Sequence, residues 1–237
     1  MRALVTRPRG EAAELAEALA RRGIDALIEP LLAIEYRDAP SPDFSAVQAV
    51  LVTSGNGVRA LARLTRERAV PLFAVGAASA AAARAAGFAH VASADGAVDD
   101  LARLVRAQLD PGAGQLLHVA GSAVAGDLAG SLCDAGFAVE RTVLYDARPA
   151  TVLTAACVDA LAAGEVDVAL FFSPRTAALF ARLSGEAGID RAMARVIALS
   201  ISAAADAALA PLDFRGRAVA ARPDQTSLLA ALDRLLR

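Results

Sequence analysis

The chain has 237 residues, of which 56% are hydrophobic, enough for two domains of roughly 100–120 residues each. All 24 basic residues are arginine. The lack of lysine excludes Schiff-base chemistry, pyridoxal phosphate attachment and the lysine of a phosphate-binding P-loop. With 26 acidic residues the formal net charge is −2. Because the charges are interleaved and form no basic patch, we expect no nucleic-acid partner.

Cysteine and histidine are too few and too scattered to indicate a metal site. Cys133 and Cys157 have no paired spacing, and each falls in an alanine-rich stretch where we expect a small buried side chain. The two histidines form no cluster with them, so we expect no metal. No apolar run reaches the ~18–20 residues of a membrane span, and Arg7-Pro8-Arg9 breaks the apolar start. We therefore expect a cytoplasmic protein that does not bind membranes.

Short apolar runs alternate with alanine-rich amphipathic stretches along the chain. The first predicted strand, Ala3–Thr6, is followed by a predicted helix, Glu11–Arg22, and Gly23 is suited to end that helix with a left-handed cap. Further strands, each followed by a helix, are predicted at Val50–Thr53, Leu72–Val75, Leu116–Val119, Val168–Phe172, Val196–Leu199 and Ala218–Ala221. Continuous apolar strands separated by helices indicate the α/β class, with parallel sheets covered on both faces. Ligands bind such sheets at the carboxyl ends of the strands.

Two segments interrupt this alternation. Pro30–Pro42 and Val143–Pro149 combine strand-like residues with prolines, and each lies between two α/β runs. We interpret them as connections between domains.

The two halves of the chain resemble each other. Glu14-Leu15-Ala16 is matched by Asp127-Leu128-Ala129, 113 residues later, and Ala62-Arg63-Leu64 by Ala181-Arg182-Leu183, 119 residues later. Two further matches, at offsets of 123 and 128, are Ser79-Ala80 with Ser202-Ala203, and Val91, Leu101 and Leu104 with Val219, Leu229 and Leu232. Since the order is kept and the offset drifts slowly, we predict an internally duplicated α/β unit.

Four predicted strand-to-helix turns carry hydroxyl side chains. They are Thr53-Ser54-Gly55-Asn56-Gly57, Gly76-Ala77-Ala78-Ser79, Ser173-Pro174-Arg175-Thr176 and Ser200-Ile201-Ser202. Hydroxyls and free N–H groups at helix N-termini suit carboxylates or phosphates without a lysine. Taken alone, any one serine or threonine is better explained as an N-cap. Four such turns in two lobes favour a shared anionic ligand in the cleft.

The chain resembles the uroporphyrinogen-III synthase family. The motifs that carry the resemblance follow the order of that family over the whole chain. They are Val5-Thr6-Arg7-Pro8, Val52-Thr53-Ser54-Gly55-Asn56-Gly57-Val58, Ala74-Val75-Gly76-Ala77-Ala78-Ser79-Ala80, Val143-Leu144-Tyr145 with Pro149, Phe171-Phe172-Ser173-Pro174, and Arg222-Pro223 with Ser227-Leu228-Leu229.

The resemblance implies two doubly wound parallel-sheet domains joined by a two-stranded linker. One domain would combine residues 1–33 with 150–237, the other would hold 40–142, and the linker strands would be 34–39 and 143–149. The implied reaction closes hydroxymethylbilane, a linear tetrapyrrole with eight carboxylates, to uroporphyrinogen III, with loss of water and inversion of ring D through a spiro intermediate. No metal or organic cofactor is implied. We expect a monomer that receives its substrate from hydroxymethylbilane synthase.

The resemblance also implies site residues. Tyr145 matches the family's tyrosine in the second linker strand, where a phenol would assist loss of the hydroxyl; the alternative is a ring that only packs at a domain junction. Expected substrate contacts are Thr6, Arg7, Thr53, Ser54, Asn56, Gly76, Ser79, Ser122, Ser173, Ser200 and Ser202.

One departure and three rival functions stay open. The family's second-repeat turn carries Gly-Pro and then a threonine, whereas this chain has Leu199-Ser200-Ile201-Ser202, so Leu199 replaces the glycine. A catalytically degenerate paralogue and a two-lobed binding protein for a small anion are alternatives. A Rossmann methyltransferase or dehydrogenase would need a third glycine after Gly55-Asn56-Gly57.

Overall fold

A computed structural model describes residues 1–123 and 126–235 of the chain. The chain divides into two compact units. Unit 1 contains Met1–Ala33 and Arg148–Arg237, and unit 2 contains Ile34–Ala147. The chain therefore passes from one unit to the other twice.

The described residues form eleven strands. These are β1 (Arg2–Val5), β2 (Asp25–Ile28), β3 (Leu32–Tyr36), β4 (Val47–Val52), β5 (Leu72–Ala74), β6 (Val91–Ser93), β7 (Gln115–Gly121), β8 (Val139–Pro149), β9 (Val168–Phe171), β10 (Ile197–Ser200) and β11 (Gly216–Val219). All seven predicted strands are present, with ends that differ by no more than three residues.

An α-helix follows most of these strands. Over the same described residues the helices are α1 (Arg9–Ala20), α2 (Gly55–Leu64), α3 (Ala77–Ala85), α4 (Val98–Gln108), α5 (Leu128–Cys133), α6 (Ala155–Ala162), α7 (Pro174–Glu186), α8 (Ala203–Ala207) and α9 (Gln225–Leu235). The first helix begins at Arg9, two residues before the predicted start, because Pro8 supplies an extended residue that precedes the first turn.

The sheet of unit 1 has the strand order β11-β10-β9-β1-β2, and its four strand pairs are parallel. From β1 the chain moves outward to β2 on one side, and from β9 it moves outward to β10 and β11 on the other. The order therefore reverses between β1 and β9, as in doubly wound folds.

The sheet of unit 2 has the order β3-β8-β7-β4-β5-β6. The pairs formed by β4 to β8 are parallel, and the order reverses between β4 and β7. The segments 34–39 and 143–149, expected as linker strands, contribute to β3 and β8, which are neighbours in this sheet. These two strands run antiparallel: the amide of Arg37 donates to the Leu144 carbonyl, and that of Ala150 donates to the Leu31 carbonyl.

Apolar side chains cover both faces of each sheet. Along β1, Leu4 lies in one buried cluster, whereas Ala3 and Val5 lie in another. In unit 2 the same alternation along β7 places Leu116 in one cluster and Leu117 in the other. Successive side chains of a strand point to opposite faces. The strands therefore read as unbroken apolar runs because both faces are buried.

Five helices end in the same hydrogen-bonded motif. After α1, the amide of Gly23 donates to the Ala20 carbonyl and that of Ile24 to the Leu19 carbonyl. This pair of bonds defines a Schellman cap, which needs a left-handed residue, and Gly23 has the expected positive φ of 71°. The other four helices, α3, α5, α6 and α7, end in the same way at Gly87, Gly136, Gly164 and Gly188.

His118 is a buried polar residue in the middle of β7. Its side chain is 3% exposed, and neither ring nitrogen has a hydrogen-bond partner among the described residues. Burial lowers the pKa of the imidazole from 6.5 to about 4, with a smaller contribution from the charge of Arg141, the neighbouring residue on β8. The neutral imidazole is thus the form that the folded protein holds.

The pKa of His118 predicts that unit 2 loses stability in mild acid. The unfolded chain takes up a proton below pH 6.5 and the folded chain only near pH 4, so the contribution is complete above pH 6.5 and is lost as the pH falls to about 4. We expect unit 2 to lose about 2 kcal/mol between about pH 7.5 and about pH 5 from this residue. Urea unfolding followed by tyrosine fluorescence measures it, because both tyrosines, Tyr36 and Tyr145, lie in unit 2 and the chain has no tryptophan.

Two variants assign this loss to His118. His118→Leu removes the titrating group from an apolar site and should reduce the loss between the two pH values by about 2 kcal/mol. His90→Gln alters the other histidine, which is exposed, and should keep the full loss. An equal pH dependence in the wild type and His118→Leu would contradict the prediction.

Candidate active site

Three strands of unit 2 bring polar groups together where the strand order reverses. β4 ends shortly before Ser54, β7 ends at Gly121, and the long β8 pairs with that end through Tyr145. The carboxyl ends of parallel strands at such a reversal form the ligand crevice of this fold class. The hydroxyl groups of Ser54 and Tyr145, which meet at this edge, therefore mark the candidate site.

Tyr145 is the most constrained residue of the site. It is 7% exposed, and its ring belongs to the buried cluster that contains Leu117 and Val119. Its Oη lies 2.7 Å from the Oγ of Ser54, a hydrogen bond in which either oxygen can be the donor. Its carbonyl accepts a hydrogen bond of 3.0 Å from the amide of Ser122. Tyr145 is thus held by hydrogen bonds at both its main-chain carbonyl and its side-chain hydroxyl.

Ser54 links the phenol to a helix N-terminus. It is the N-cap of α2, and its Oγ accepts a hydrogen bond of 3.3 Å from the amide of Gly57. The Oδ1 of Asn56 accepts a bond of 2.8 Å from Arg59 within the same helix. Thr53, directly before the cap, is partly exposed. The Tyr145 hydroxyl therefore lies beside the partial positive charge of α2.

The turn Gly76-Ala77-Ala78-Ser79 does not present a hydroxyl group at the helix start as expected. Gly76 is the N-cap of α3 and gives that helix no side-chain acceptor. Ser79 lies inside the first turn of α3, where it is 6% exposed. Of these two expected contacts, Gly76 therefore offers backbone groups at the helix start, whereas Ser79 is largely covered.

Ser122 follows the end of β7. Its side chain is exposed, and its carbonyl accepts a hydrogen bond of 3.3 Å from Arg141. The same guanidinium nitrogen donates to the Gly121 carbonyl at 2.9 Å. Arg141 thus fixes the backbone beside Tyr145.

In unit 1, the two residues after β1 make contacts within the unit. Thr6 is fully buried and donates a hydrogen bond of 2.8 Å to the Leu170 carbonyl. Arg7 bonds Glu11 and Gln225, and its guanidinium lies 4.5 Å from the ring centre of Phe172. Both expected contact residues therefore have intramolecular roles in this structure.

The three remaining expected residues are serines of unit 1. Ser173 caps α7, and its Oγ accepts a bond of 3.1 Å from the amide of Thr176. Ser202 caps α8 by accepting a bond of 3.3 Å from the amide of Ala205. Ser200, at the end of β10, is fully buried, and its hydroxyl has no partner among the described residues.

The expectation that Leu199 lies in a strand-to-helix turn is wrong. Leu199 lies inside β10 and is fully buried. Ile201 donates to the Phe171 carbonyl just as Val75 donates to the Val52 carbonyl, and the next residue after each is an N-cap. The position that corresponds to Gly76 is therefore Ser202, not Leu199. The matched pair Ser79 and Ser202 is wrong for the same reason.

The two cysteines differ in their surroundings. Cys157 is buried as expected, and burial together with the nearby Glu29 raises the pKa of its thiol to about 12, so the thiol is protonated at neutral pH. Cys133 is exposed, contrary to expectation, because its side of α5 faces solvent. The described residues contain no group of three or more His, Cys, Asp or Glu side chains that could hold a metal ion. Within residues 1–123 and 126–235, no helix is both long enough and apolar enough for a membrane crossing.

Sequence reasoning missed three residues that build these surroundings. Gly121 lies against the ring of Tyr145, and its available signal was a glycine directly after an apolar strand. Phe172 supports Arg7. Glu29 is 1% exposed and accepts two hydrogen bonds from Thr154, the N-cap of α6. The sequence feature that could have identified Glu29 is a single acidic residue at the end of an apolar run.

Comparison with known proteins identifies the family. The family model described as uroporphyrinogen-III synthase HemD matches residues 13–230. No curated protein sequence matches the chain. Among solved structures, the uroporphyrinogen-III synthetase of Helicobacter pylori is 16% identical, covers 100% of both chains and has a TM-score of 0.62.

A second solved structure agrees with the first. A mutant uroporphyrinogen III synthase of the extremely thermophilic bacterium Thermus thermophilus is 23% identical, with a TM-score of 0.59 over 100% of this chain and 98% of that one. At these identities the two likenesses support the α/β fold with its parallel sheets. The family model spans most of the chain, and the chain therefore belongs to the uroporphyrinogen-III synthase family, a family of lyases in porphyrin biosynthesis.

Proposed function

We propose that this chain closes hydroxymethylbilane to uroporphyrinogen III, with loss of water and inversion of ring D, and that Tyr145 donates the proton to the departing hydroxyl. Family membership supports the reaction. The observation that carries the role of Tyr145 is its hydroxyl, held 2.7 Å from Ser54 at the start of α2. A phenol fixed in this way is a suitable general acid.

The proton moves in a closed cycle. As the C–O bond of the hydroxymethyl group breaks, the leaving oxygen takes the hydrogen of the Tyr145 hydroxyl and departs as water. After ring D inverts through the spiro intermediate, closure of the macrocycle releases one proton from carbon, and the phenolate takes it back. The enzyme otherwise positions a reactive chain, which needs no strong acid or base.

We further propose that the substrate's carboxylates bind to hydroxyls and N–H groups at the strand ends of each unit. Gly76 of unit 2 supports this proposal because α3 has no side-chain cap of its own. The proposed contacts in unit 2 are Thr53, Asn56, Gly76, Ser79 and Ser122; Ser54, which was also expected to bind substrate, has its hydroxyl hydrogen-bonded to Tyr145. Those in unit 1 are Arg7, Ser173 and Ser202; Thr6 and Ser200 belong to the same expected set, but both side chains are fully buried in this structure.

We also propose a cytoplasmic monomer that receives its substrate from hydroxymethylbilane synthase. Its domains would be residues 1–33 with 150–237, and 40–142. Sedimentation velocity of the purified chain measures the oligomeric state. A stable dimer would contradict the monomer.

The reaction itself is tested by coupling the protein to enzymatic formation of hydroxymethylbilane. The products are oxidised, and the uroporphyrin isomers are separated by chromatography. We expect isomer III well above the isomer I that forms spontaneously. Isomer I alone would exclude synthase activity and favour a degenerate paralogue or a binding protein.

Tyr145→Phe should lower kcat by ~10²-fold, because a general acid contributes ~10²–10⁴-fold to a rate. KM should change little, and the fold should persist because the ring stays in its cluster. The matched control is Tyr36→Phe, which alters the other tyrosine, on β3, where the ring contacts Arg63. Wild-type turnover in Tyr145→Phe would remove the phenol from the mechanism.

A further inference from the structure

We propose that Gly121 and Ser54 are positioning residues for Tyr145: Gly121 leaves the space that the phenol ring occupies, and Ser54 turns the phenol hydrogen toward the substrate. This inference rests on the proposed function, since it concerns how the same tyrosine is aimed. Neither residue needs to touch the reacting atoms.

Gly121 has no room for a side chain. A Cβ atom built at this position would lie 2.8 Å from both Cε2 and Cζ of Tyr145, and 3.1 Å from its Oη. Real Cβ atoms essentially never approach other atoms within 3.0 Å. Cζ and Oη lie on the Cβ–Cγ axis of the ring, so the clash can be relieved only by rotation of the whole side chain about its Cα–Cβ bond. That rotation would carry Oη away from Ser54.

The backbone of Gly121 is held in place by strand pairing and hydrogen bonds. It is paired with Tyr145 at a register shift between β7 and β8. Its carbonyl accepts a hydrogen bond from Arg141, and the next residue, Ser122, donates to the Tyr145 carbonyl. On the other side, the ring lies in the cluster with Leu117 and Val119. The strain of an added methyl group would therefore fall on the orientation of the phenol.

Ser54 decides which way the phenol hydrogen points. Two hydroxyls 2.7 Å apart share one hydrogen, so only one of them donates. The Oγ of Ser54 already accepts from the amide of Gly57, and its own hydrogen is free to go to the Oη of Tyr145. In that orientation the hydrogen of Tyr145 is free for the leaving hydroxyl. The phenolate that results is stabilised by Ser54 and by the N-terminus of α2.

The first experiment compares Gly121→Ala with Gly112→Ala. Gly112 is an exposed glycine of the same unit, and a Cβ there would meet nothing closer than 3.5 Å. In a Tyr36→Phe background, Tyr145 is the sole tyrosine, so the near-ultraviolet circular dichroism of tyrosine reports its environment alone. Gly121→Ala should change this spectrum and lower kcat by ~10²-fold with little change in KM. Gly112→Ala should change neither.

A double-mutant cycle covers the case in which Gly121→Ala is poorly folded. Tyr145→Val removes Cε2 and Cζ, the two atoms that the added methyl group meets. Gly121→Ala should lower the urea midpoint of unit 2 when Tyr145 is present and much less when valine replaces it, with Tyr36 as the fluorescent reporter. Tyr145→Phe keeps the ring and should not relieve the loss. An equal loss in all three backgrounds, or an unchanged Tyr145 spectrum in Gly121→Ala, would overturn the role of Gly121.

The second experiment separates the two roles of Ser54. Glycine is nearly as good an N-cap as serine, so Ser54→Gly should retain most of the stability of α2 but has no hydroxyl to donate. We expect a kcat about tenfold lower with an almost unchanged urea midpoint. Ser54→Thr keeps both the cap and the hydroxyl and should restore kcat. A wild-type kcat in Ser54→Gly would overturn the role of Ser54.

These experiments also distinguish the inference from the proposed function. If the wild type forms no isomer III, the proposed function fails. The tyrosine spectrum and the urea midpoints then still decide whether Gly121 seats the ring. If isomer III forms but Gly121→Ala retains wild-type kcat, the proposed synthase activity is supported and the positioning role of Gly121 is contradicted.

Discussion

The structure depends on one constraint, the burial of parallel strands on both faces. Leu4 and Val5, adjacent on β1, lie in different apolar clusters, so the strand has no face left for polar chemistry. Polar groups that can meet a ligand are therefore concentrated where strands end, and parallel strands place all their carboxyl ends along one edge. The meeting of Ser54, Gly121 and Tyr145 follows from that edge together with the reversal of strand order between β4 and β7.

Much of the fold could be predicted because unbroken apolar runs are a strong signal. The central strands were found this way, and Gly23 correctly marked the end of α1. β2 and β6 were missed because both are edge strands with partly exposed residues, which weakens the apolar run. The offset of the repeat was misjudged at Ser202, where alanine-rich sequence allows several alignments. The internal duplication stays a prediction.

The site was harder to predict, because spacing identifies a hydroxyl but not its partner. In the sequence, Thr6 and Ser54 are both hydroxyl residues at the end of a predicted strand. In the structure, Thr6 donates a hydrogen bond to the Leu170 carbonyl, whereas Ser54 is hydrogen-bonded to the hydroxyl of Tyr145. Arg7 is similarly engaged with Glu11 and Gln225. The close approach of Gly121 to Tyr145 depends on a local register shift, which no residue pattern encodes.

The glycine caps have a consequence for mutational tolerance. Alanine has the highest helix propensity, so the interiors of these alanine-rich helices depend little on any one residue. A single alanine replaced by leucine or arginine on an exposed helix face keeps that propensity. A side chain at Gly23, Gly87 or Gly136 would instead enter the left-handed region, at a cost of about 1–2 kcal/mol. Tolerance to substitution therefore resides in the alanines, and sensitivity resides in a few glycines that stop the helices.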